Sequence, residues 1–302
     1  MTDQRKAYAY GLATVMLWST VATAFKLTLR ELDVFELTFL SSGFSLAALG
    51  AVLALQGKLM LAFKPGRRGL LLSAGLGALN PALYYLTLFA AYDLLPAQEA
   101  QPLNYTWAVT LALLSIPLLK QKITGADFAA LGVSYFGVVV ISTRGDLLGL
   151  EFANPLGVGL ALLSTVIWAL YWIYNTKDDR DPVVGLFTNF VFGFAYLTAA
   201  ALLFGRLPSP SASGLAGSAY VGVFEMGVSF VFWLKALKLS ENTAKVGTLI
   251  FISPFLSLVL INLFVGEEIM GSTIVGLLFI MGGIALQQIS ARRAGSAVGP
   301  DG

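Results

Sequence analysis

Apolar residues run through this chain in long blocks rather than alternating singly with polar ones. The blocks fall at 7–29, 34–56, 69–91, 97–119, 124–143, 154–175, 183–204, 214–237, 242–264 and 271–290. Each has about the 20 residues that an α-helix needs to cross a hydrocarbon core of ~30 Å. Only helices and closed barrels satisfy every backbone group in lipid, and unbroken blocks of this length predict helices. The expected fold class is an all-α membrane protein with ten transmembrane helices and a lipid bilayer as its surroundings.

Charge between the blocks orients them. With the N-terminus inside, the inner segments hold Arg5, Lys6, Lys58, Lys64, Arg67, Arg68, Lys120, Lys122, Lys177, Arg180, Lys235, Lys238, Arg292 and Arg293; the outer ones hold only Arg30, Arg144 and Arg206. Basic residues favour the cytoplasmic side, so both termini are expected there. Lys26 and Lys245 lie near block ends and are expected to snorkel to the interface.

The two halves look related. A shift of 146 residues lays Lys120-Gln121-Lys122-Ile123-Thr124-Gly125 on Gly266-Glu267-Glu268-Ile269-Met270-Gly271, Gly137 on Gly283 and Ala90 on Ala236; a shift of about 150 lays Trp18 on Trp168 and Lys26 on Thr176. Five helices per half is an odd number, so the second half enters from the opposite face. The domains expected are a first repeat at 1–150, an inverted second repeat at 151–290 and a disordered cytoplasmic tail at 291–302. Inverted repeats are the build of alternating-access carriers, with solute held between the halves near the midplane.

Composition narrows the chemistry. Charged residues make up 12% of the chain, about half the share in a soluble domain. A net charge of +2 spread over inner loops gives no reason to expect a nucleic-acid partner. There is no Cys and no His, which excludes disulfides, ordinary zinc sites and imidazole proton relays; no metal or other cofactor is expected. Arg5 and Lys6, an apolar run and Ala22-Thr23-Ala24 mimic a secretory signal, but the run continues past that point, so no cleavage is expected. Ten helices suffice to enclose one pathway, so a monomer is expected.

Polar groups within the blocks mark candidate sites, because they are costly there and face a cavity or another helix. The fourth block opens with Gln98, Glu99, Gln101, Pro102, Asn104, Tyr105, Thr106 and Trp107. Gln98, Gln101 and Tyr105 fall on one face at spacings of three and four. Gln101 and Tyr105 suit the polar head of a small solute and Trp107 its side chain; interhelical bonding is the structural alternative. Trp18 and Trp168, matched between repeats, would flank a flat ligand, with Trp172 one turn further on. Asn80-Pro81 and Tyr84 form a kinked polar break, with Asn80 and Tyr84 placed on one face. Glu225 lies within the eighth block among Phe224, Phe230 and Phe232, as a proton carrier, an amine ligand or a neutral hydrogen-bonding acid. Ser253-Pro254 interrupts the ninth block. Pro81, Pro102 and Pro254 are the expected hinges. Gly75, Gly77, Gly222, Gly227, Gly247, Gly282 and Gly283 are expected to let helices approach or bend.

Paired repeats, a Trp in the first helix of each and a Gly-Glu turn before the last helix resemble the EamA-type drug/metabolite transporters over essentially the whole chain. More narrowly, Val15-Met16-Leu17-Trp18-Ser19-Thr20, Leu103-Asn104-Tyr105-Thr106-Trp107 and Ile167-Trp168-Ala169-Leu170-Tyr171 are similar to segments of that family's aromatic amino acid exporters. The resemblance implies a multi-pass protein of the bacterial inner membrane that exports aromatic and related neutral amino acids. Helices one, three, four, six, eight and nine are expected to enclose the cavity. Ala108 departs from the Pro expected there, and Lys120-Gln121 departs from Gly-Glu in the first half.

Three other readings stay open. The same fold would carry lipophilic cations, with Glu225 as counter-charge. A membrane enzyme acting on a lipid phosphate needs clustered acids or bases at one interface, and a channel needs a repeated filter motif; the sequence offers neither. Gly266 to Thr273 spells a phosphate loop without its Lys, Asn104-Tyr105-Thr106 is a sequon within a block, and the run Asp178, Asp179 and Asp181 is expected to be a solvated loop.

Overall fold

A computed structural model describes residues 3–64, 66–119, 125–149, 152, 154–240, 246 and 248–297. Lys120 to Thr124, Lys245, Gly247 and the tail from 298 lie outside the described residues. The helices are α1 (Gln4–Thr28), α2 (Val34–Leu55), α3 (Gly66–Leu94), α4 (Ala97–Leu119), α5 (Gly125–Ser142), α6 (Pro155–Asn175), α7 (Pro182–Leu203), α8 (Ala212–Leu239), α9 (Leu249–Val265) and α10 (Gly271–Ala297), with one turn at Leu59–Ala62. Among the described residues there is no strand. Helix α10 runs past the expected tail boundary at 290.

Seven helices are long and apolar enough to cross a membrane: α2, α3, α4, α6, α7, α8 and the Gly271–Ile289 part of α10. The apolar parts of α5 and α9, Phe128–Ser142 and Leu249–Val265, are shorter. Helix α1 has the length, but Tyr8, Tyr10, Trp18, Ser19, Thr20 and Thr23 make it less apolar than the seven. Length and apolarity alone therefore mark fewer spans than ten, because helices that carry polar groups inward dilute their own hydropathy.

Several helices begin on a side chain that accepts from their unpaired N–H groups. Asp33 and Glu36 form a capping box on α2, Asn154 accepts from Gly157 N, Asp181 from Val183 N and Val184 N, and Ser211 from Gly214 N. Helix α4 starts after Pro96 with no cap from its own chain segment.

Contacts between helix ends define two faces. On the N-terminal face, Asp3 N donates to Leu239 O at 2.9 Å, Lys58 meets Asp181 at 2.6 Å and Arg180 donates to Ser73 Oγ at 2.8 Å. On the opposite face, Arg206 meets Asp33 at 2.6 Å and Asn154 donates to Leu94 O at 3.2 Å. Successive helices therefore run antiparallel. The packing pairs map onto themselves when each helix is replaced by the one five later. Helix α1 lies on the end of α8 as α6 lies on the end of α3; α2 lies against the middle of α8 as α7 lies against α3. Likewise α1 touches α9 as α6 touches α4, while α2–α7 and α5–α10 pair with each other.

Without a hydrophobic drive between helices in lipid, close backbone approach does much of the joining. A Cβ on Gly77 would strike Asn189 O and one on Gly222 would strike Ser41 O; one on Gly283 would strike Ala130 O. Gly75 and Gly282 face open space, and Gly227 abuts Gly222 O within its own helix. The six described glycines of that set, alike in sequence, thus divide by the neighbour each one meets.

The acidic run is structured rather than merely solvated. Asp178 pairs with Arg180 at 2.6 Å and Asp181 caps α7 while pairing with Lys58. Burial alone would raise both carboxyl pKa values. Bonds from Arg180 to Asp178, and from Lys58, Val184 N and Val183 N to Asp181, outweigh it and hold both below their ordinary value. The depressed pKa values add stability that is full above the unfolded Asp pKa of about 3.9 and is lost as pH falls through the lower folded values. Melting temperature in detergent is expected to drop on acidification below about pH 4. That acid-side drop should shrink in Asp181→Asn, and an unchanged profile in that variant would remove this account.

Candidate substrate cavity

A cavity of about 260 Å³ lies between the halves, lined from α1, α3, α4, α6, α8, α9 and α10. Each expected helix contributes; α10 is an addition, through Met281, Ile284 and Gln288. The volume sits just below the ~300–1,000 Å³ common for ligand pockets, enough for one amino-acid-sized solute.

Of the residues singled out by sequence, Trp18, Tyr84, Gln101, Tyr105, Trp107, Trp168, Trp172 and Glu225 line it, together with Asn104. Trp168 is the hub of the rings. It stacks on Tyr84 at 4.5 Å and Tyr171 at 5.7 Å, and meets Trp172 and Phe230 at 5.8 Å. Trp18 reaches Phe230 at 6.1 Å and Trp233 at 5.5 Å. The two matched indoles therefore meet through Phe230, on the wall that also carries Glu225. Phe224 and Phe232 turn elsewhere, onto Tyr220 and Tyr10.

Asn80 and Ser253 do not line the cavity. Asn80 has extended backbone angles (φ −141°, ψ 119°) because Pro81 crowds the helical conformation of the residue before it. The i, i+4 spacing to Tyr84 therefore places the two on different faces. Asn80 is fully buried, and both its amide atoms lack a protein partner. Ser253 lies behind the wall, accepting from Ser19 Oγ at 3.3 Å. Breaks occur near all three expected hinges: a π-turn at Ala78–Leu83 with a cis Asn80-Pro81 bond, an interruption at Thr106 four residues after Pro102, and a 3₁₀ turn at Thr248–Phe251 before Pro254. A further π-turn at Val221–Val228 in α8 sits five helices on from that of α3 and carries Glu225.

Polar atoms in the wall are only partly satisfied. Asn104 donates to Ser164 Oγ at 3.0 Å, and Tyr84 reaches Asn104 Oδ1 at 3.5 Å. Glu225 Oε1 accepts a long bond from Tyr85 at 3.5 Å, while its Oε2 has no partner. Both amide atoms of Gln101 and the Trp172 Nε1 are likewise unpaired. Burying such atoms without partners costs about 1–3 kcal/mol each, and these three groups, from α4, α6 and α8, leave the cavity lining with hydrogen-bonding capacity for a polar solute or water. Glu225 is the carboxylic acid of the lining, and among the described residues no Lys or Arg lines it. Among the described residues no group of acids, Cys or His is arranged to hold a metal.

Sequence reading missed Val21, Phe25, Leu88, Tyr92, Ile284 and Gln288. A helical signal exists for several of them. Trp18, Val21 and Phe25 follow at spacings of three and four, as do Tyr84, Leu88 and Tyr92 at four, so each named residue extends into a stripe. The stripe for α10 has no polar or aromatic starting point other than Gln288.

The cavity is closed at one end. Phe25, Leu88 and Tyr92, toward the opposite face, are each 2% exposed, whereas Trp172, Trp233, Ile250 and Gln288, toward the N-terminal face, are half-buried. The Gly-Glu turn helps to make that closed end. Gly266 takes a left-handed conformation (φ 81°), which glycine adopts without steric cost, and Glu267 follows it onto the start of α4. The phosphate-loop look of this segment thus belongs to a turn whose acid serves a helix terminus. Lys26 does not snorkel either. Its Nζ donates to Tyr92 O at 2.6 Å and Leu95 O at 2.8 Å, the free carbonyls at the end of α3.

Residues 5–143 and 155–287 each match the EamA-like transporter family. An uncharacterized transporter of Clostridium kluyveri is 27% identical over 96% of this chain and 95% of its own length. The aromatic amino acid exporter YddG of Ancylobacter novellus is 26% identical over 96% of this chain and 100% of its own. A solved crystal structure at 23% identity superposes with a TM-score of 0.62, covering 97% of this chain and 99% of that one, which supports the fold alone.

Proposed function

The chain belongs to the EamA-like transporter family, and from that premise we propose that it exports aromatic and related neutral amino acids by alternating access. It is a multi-pass membrane protein of transporters' kin, and its solute is a small molecule. In this reading ten helices form two inverted five-helix repeats with both termini cytoplasmic, in a bacterial inner membrane. The self-mapping of the helix pairs and the double family match support the repeats, and the alternation of basic residues supports the orientation.

The observation that carries the substrate class is the set of orphaned atoms on an aromatic wall. Trp18, Trp107, Trp168 and Tyr84 give flat surfaces for a ring; Gln101 and Trp172 Nε1 offer neutral donors to a carboxylate, and Glu225 an acceptor to an ammonium. Alternating access then requires the cavity to close at the N-terminal face as it opens at the other, with the breaks at Pro81, Pro102 and Pro254 as hinges. Ser253 and Asn80 act from behind the wall.

The test is uptake of labelled phenylalanine into liposomes holding the purified protein. Flux competed by tryptophan is expected, and Gln101→Leu should raise the apparent KM by about tenfold, the cost of about 1.4 kcal/mol in lost head-group bonding. Absence of phenylalanine flux in folded protein would overturn the amino-acid reading.

Glu225 favours a second reading, export of lipophilic aromatic cations. Among the described residues Glu225 has no basic partner, and an acid so placed among rings suits a cation. Glu225→Gln is expected to abolish flux of such a cation and to spare phenylalanine if this second reading holds. Loss of both fluxes would assign Glu225 to the ammonium of the amino acid.

A further inference from the structure

We propose that Glu267 and Lys26 form an electrostatic latch on the opposite-face gate, so that the state open to the N-terminal face is the resting one. The proposal rests on the alternating-access reading and adds which gate is held, and by what.

Helix α4 begins without a cap of its own, and Glu267 supplies one from the α9–α10 turn. Its two carboxylate oxygens accept from Ala97 N at 2.7 Å and Gln98 N at 3.0 Å. A carboxylate on two free N–H groups at the positive end of a helix is a charge-assisted contact. The Gln98 side chain closes the same joint from the other direction, donating to Glu268 O at 2.8 Å and accepting from Met270 N at 2.8 Å and Thr273 Oγ1 at 3.1 Å. Lys26 supplies the complementary contact at a negative helix end, on the carbonyls of Tyr92 and Leu95. One charge therefore ties α9–α10 to α4, and the other ties α1 to α3. Phe25, the residue before Lys26, seals the space beneath against Phe89 at 4.9 Å and Tyr92 at 5.3 Å. These joints lie directly over the buried end of the cavity.

The repeat makes the latch one-sided. At a shift of 146 the counterpart of Glu267 is Gln121, and at 150 the counterpart of Lys26 is Thr176. Thr176 spends its hydroxyl on Ile173 O of its own helix, at 2.7 Å. Neither counterpart carries the charge that strengthens contact with a helix end. At these two matched positions the sequence places a charge for the opposite face alone, and that difference biases the carrier toward closure there.

The chain has no Cys, so single reporters can be added without removing any. Leu88→Cys reports on the sealed end and Gln288→Cys on the open mouth. Each is reacted with a membrane-impermeant maleimide, Leu88→Cys from the opposite face and Gln288→Cys from the N-terminal face, in full-length protein in oriented vesicles. Glu267→Gln is expected to raise labelling of Leu88→Cys by about fivefold, the share of a charged cap, and to lower labelling of Gln288→Cys. Lys26→Met should move both rates the same way. Increases at both reporters would mean a loosened protein and would overturn the latch. Phenylalanine added to the unmutated latch separates the two ideas. If it shifts the reporters but Glu267→Gln and Lys26→Met do not, the latch fails and the carrier stands. If nothing shifts them, alternating access fails, and the latch with it.

Discussion

Trp168→Ala is expected to cut phenylalanine flux by about tenfold or more, with the protein still in the membrane. Trp168 holds four ring contacts, to Tyr84, Tyr171, Trp172 and Phe230, and faces the cavity. Each aromatic pair is worth about 0.5–1.5 kcal/mol beyond the area it buries, and tenfold in binding is about 1.4 kcal/mol. Removing the indole takes a contact from the solute and frees Tyr84 to leave its stacked position. Trp168→Phe keeps a ring on the wall and should retain most of the flux. The two variants together separate a ring surface from a specific indole. Equal loss in both would argue for the indole itself, and full flux in Trp168→Ala would place the solute elsewhere. Trp107→Ala should act in the same direction with a smaller loss, because no ring of the Trp168 cluster leans on it.

The second large effect is on stability and separates two neighbouring residues. Gly283→Ala should destabilise the protein by about 1–3 kcal/mol, whereas Gly282→Ala should stay within about 0.5 kcal/mol of the parent. The added Cβ at 283 meets Ala130 O and lies 2.9 Å from Ser134 N, both backbone atoms of α5 that cannot step aside alone. At 282 it meets open space. Helices α5 and α10 pair closely along their length, so forcing them apart costs contacts over several turns. Melting of the purified variants in detergent reads the difference directly. Equal melting temperatures for the two would mean that the α5–α10 joint yields without cost.

Gln98 and Gln101 show how far a sequence face can be followed. They share one face by spacing, yet Gln98 bonds to the α9–α10 turn and Gln101 lines the cavity. A helix face continues from the end of a helix to its middle, but the groups opposite it change along the way. Spacing reads the first and cannot read the second. The same holds for Lys26. Its place near a helix end suggested an exit to the interface, but its ammonium is taken up by the open carbonyls at the end of α3. Asn80 fails for a different reason, since the helical count to Tyr84 stops at the residue whose backbone Pro81 turns.

What the sequence by itself determined was the all-helical character, the kinship with transporters and a polar and aromatic part of the cavity wall. Those follow from local rules: the apolar length of a block, and the cost of placing Trp, Gln or Glu within one. Eight of the ten residues marked as binding candidates, from Trp18 to Glu225, line one cavity because a polar or aromatic group in an apolar helix has few other places to go. Tertiary structure alone decided which glycines are crowded, that α10 joins the wall, that Asn80 and Ser253 stand behind it, and which end of the cavity is shut. Each depends on what another helix presents at that height. A helix end seeking a charge, or a carbonyl at van der Waals distance, is supplied by residues far away in the chain, as Glu267 is for Ala97, and no local pattern encodes the meeting.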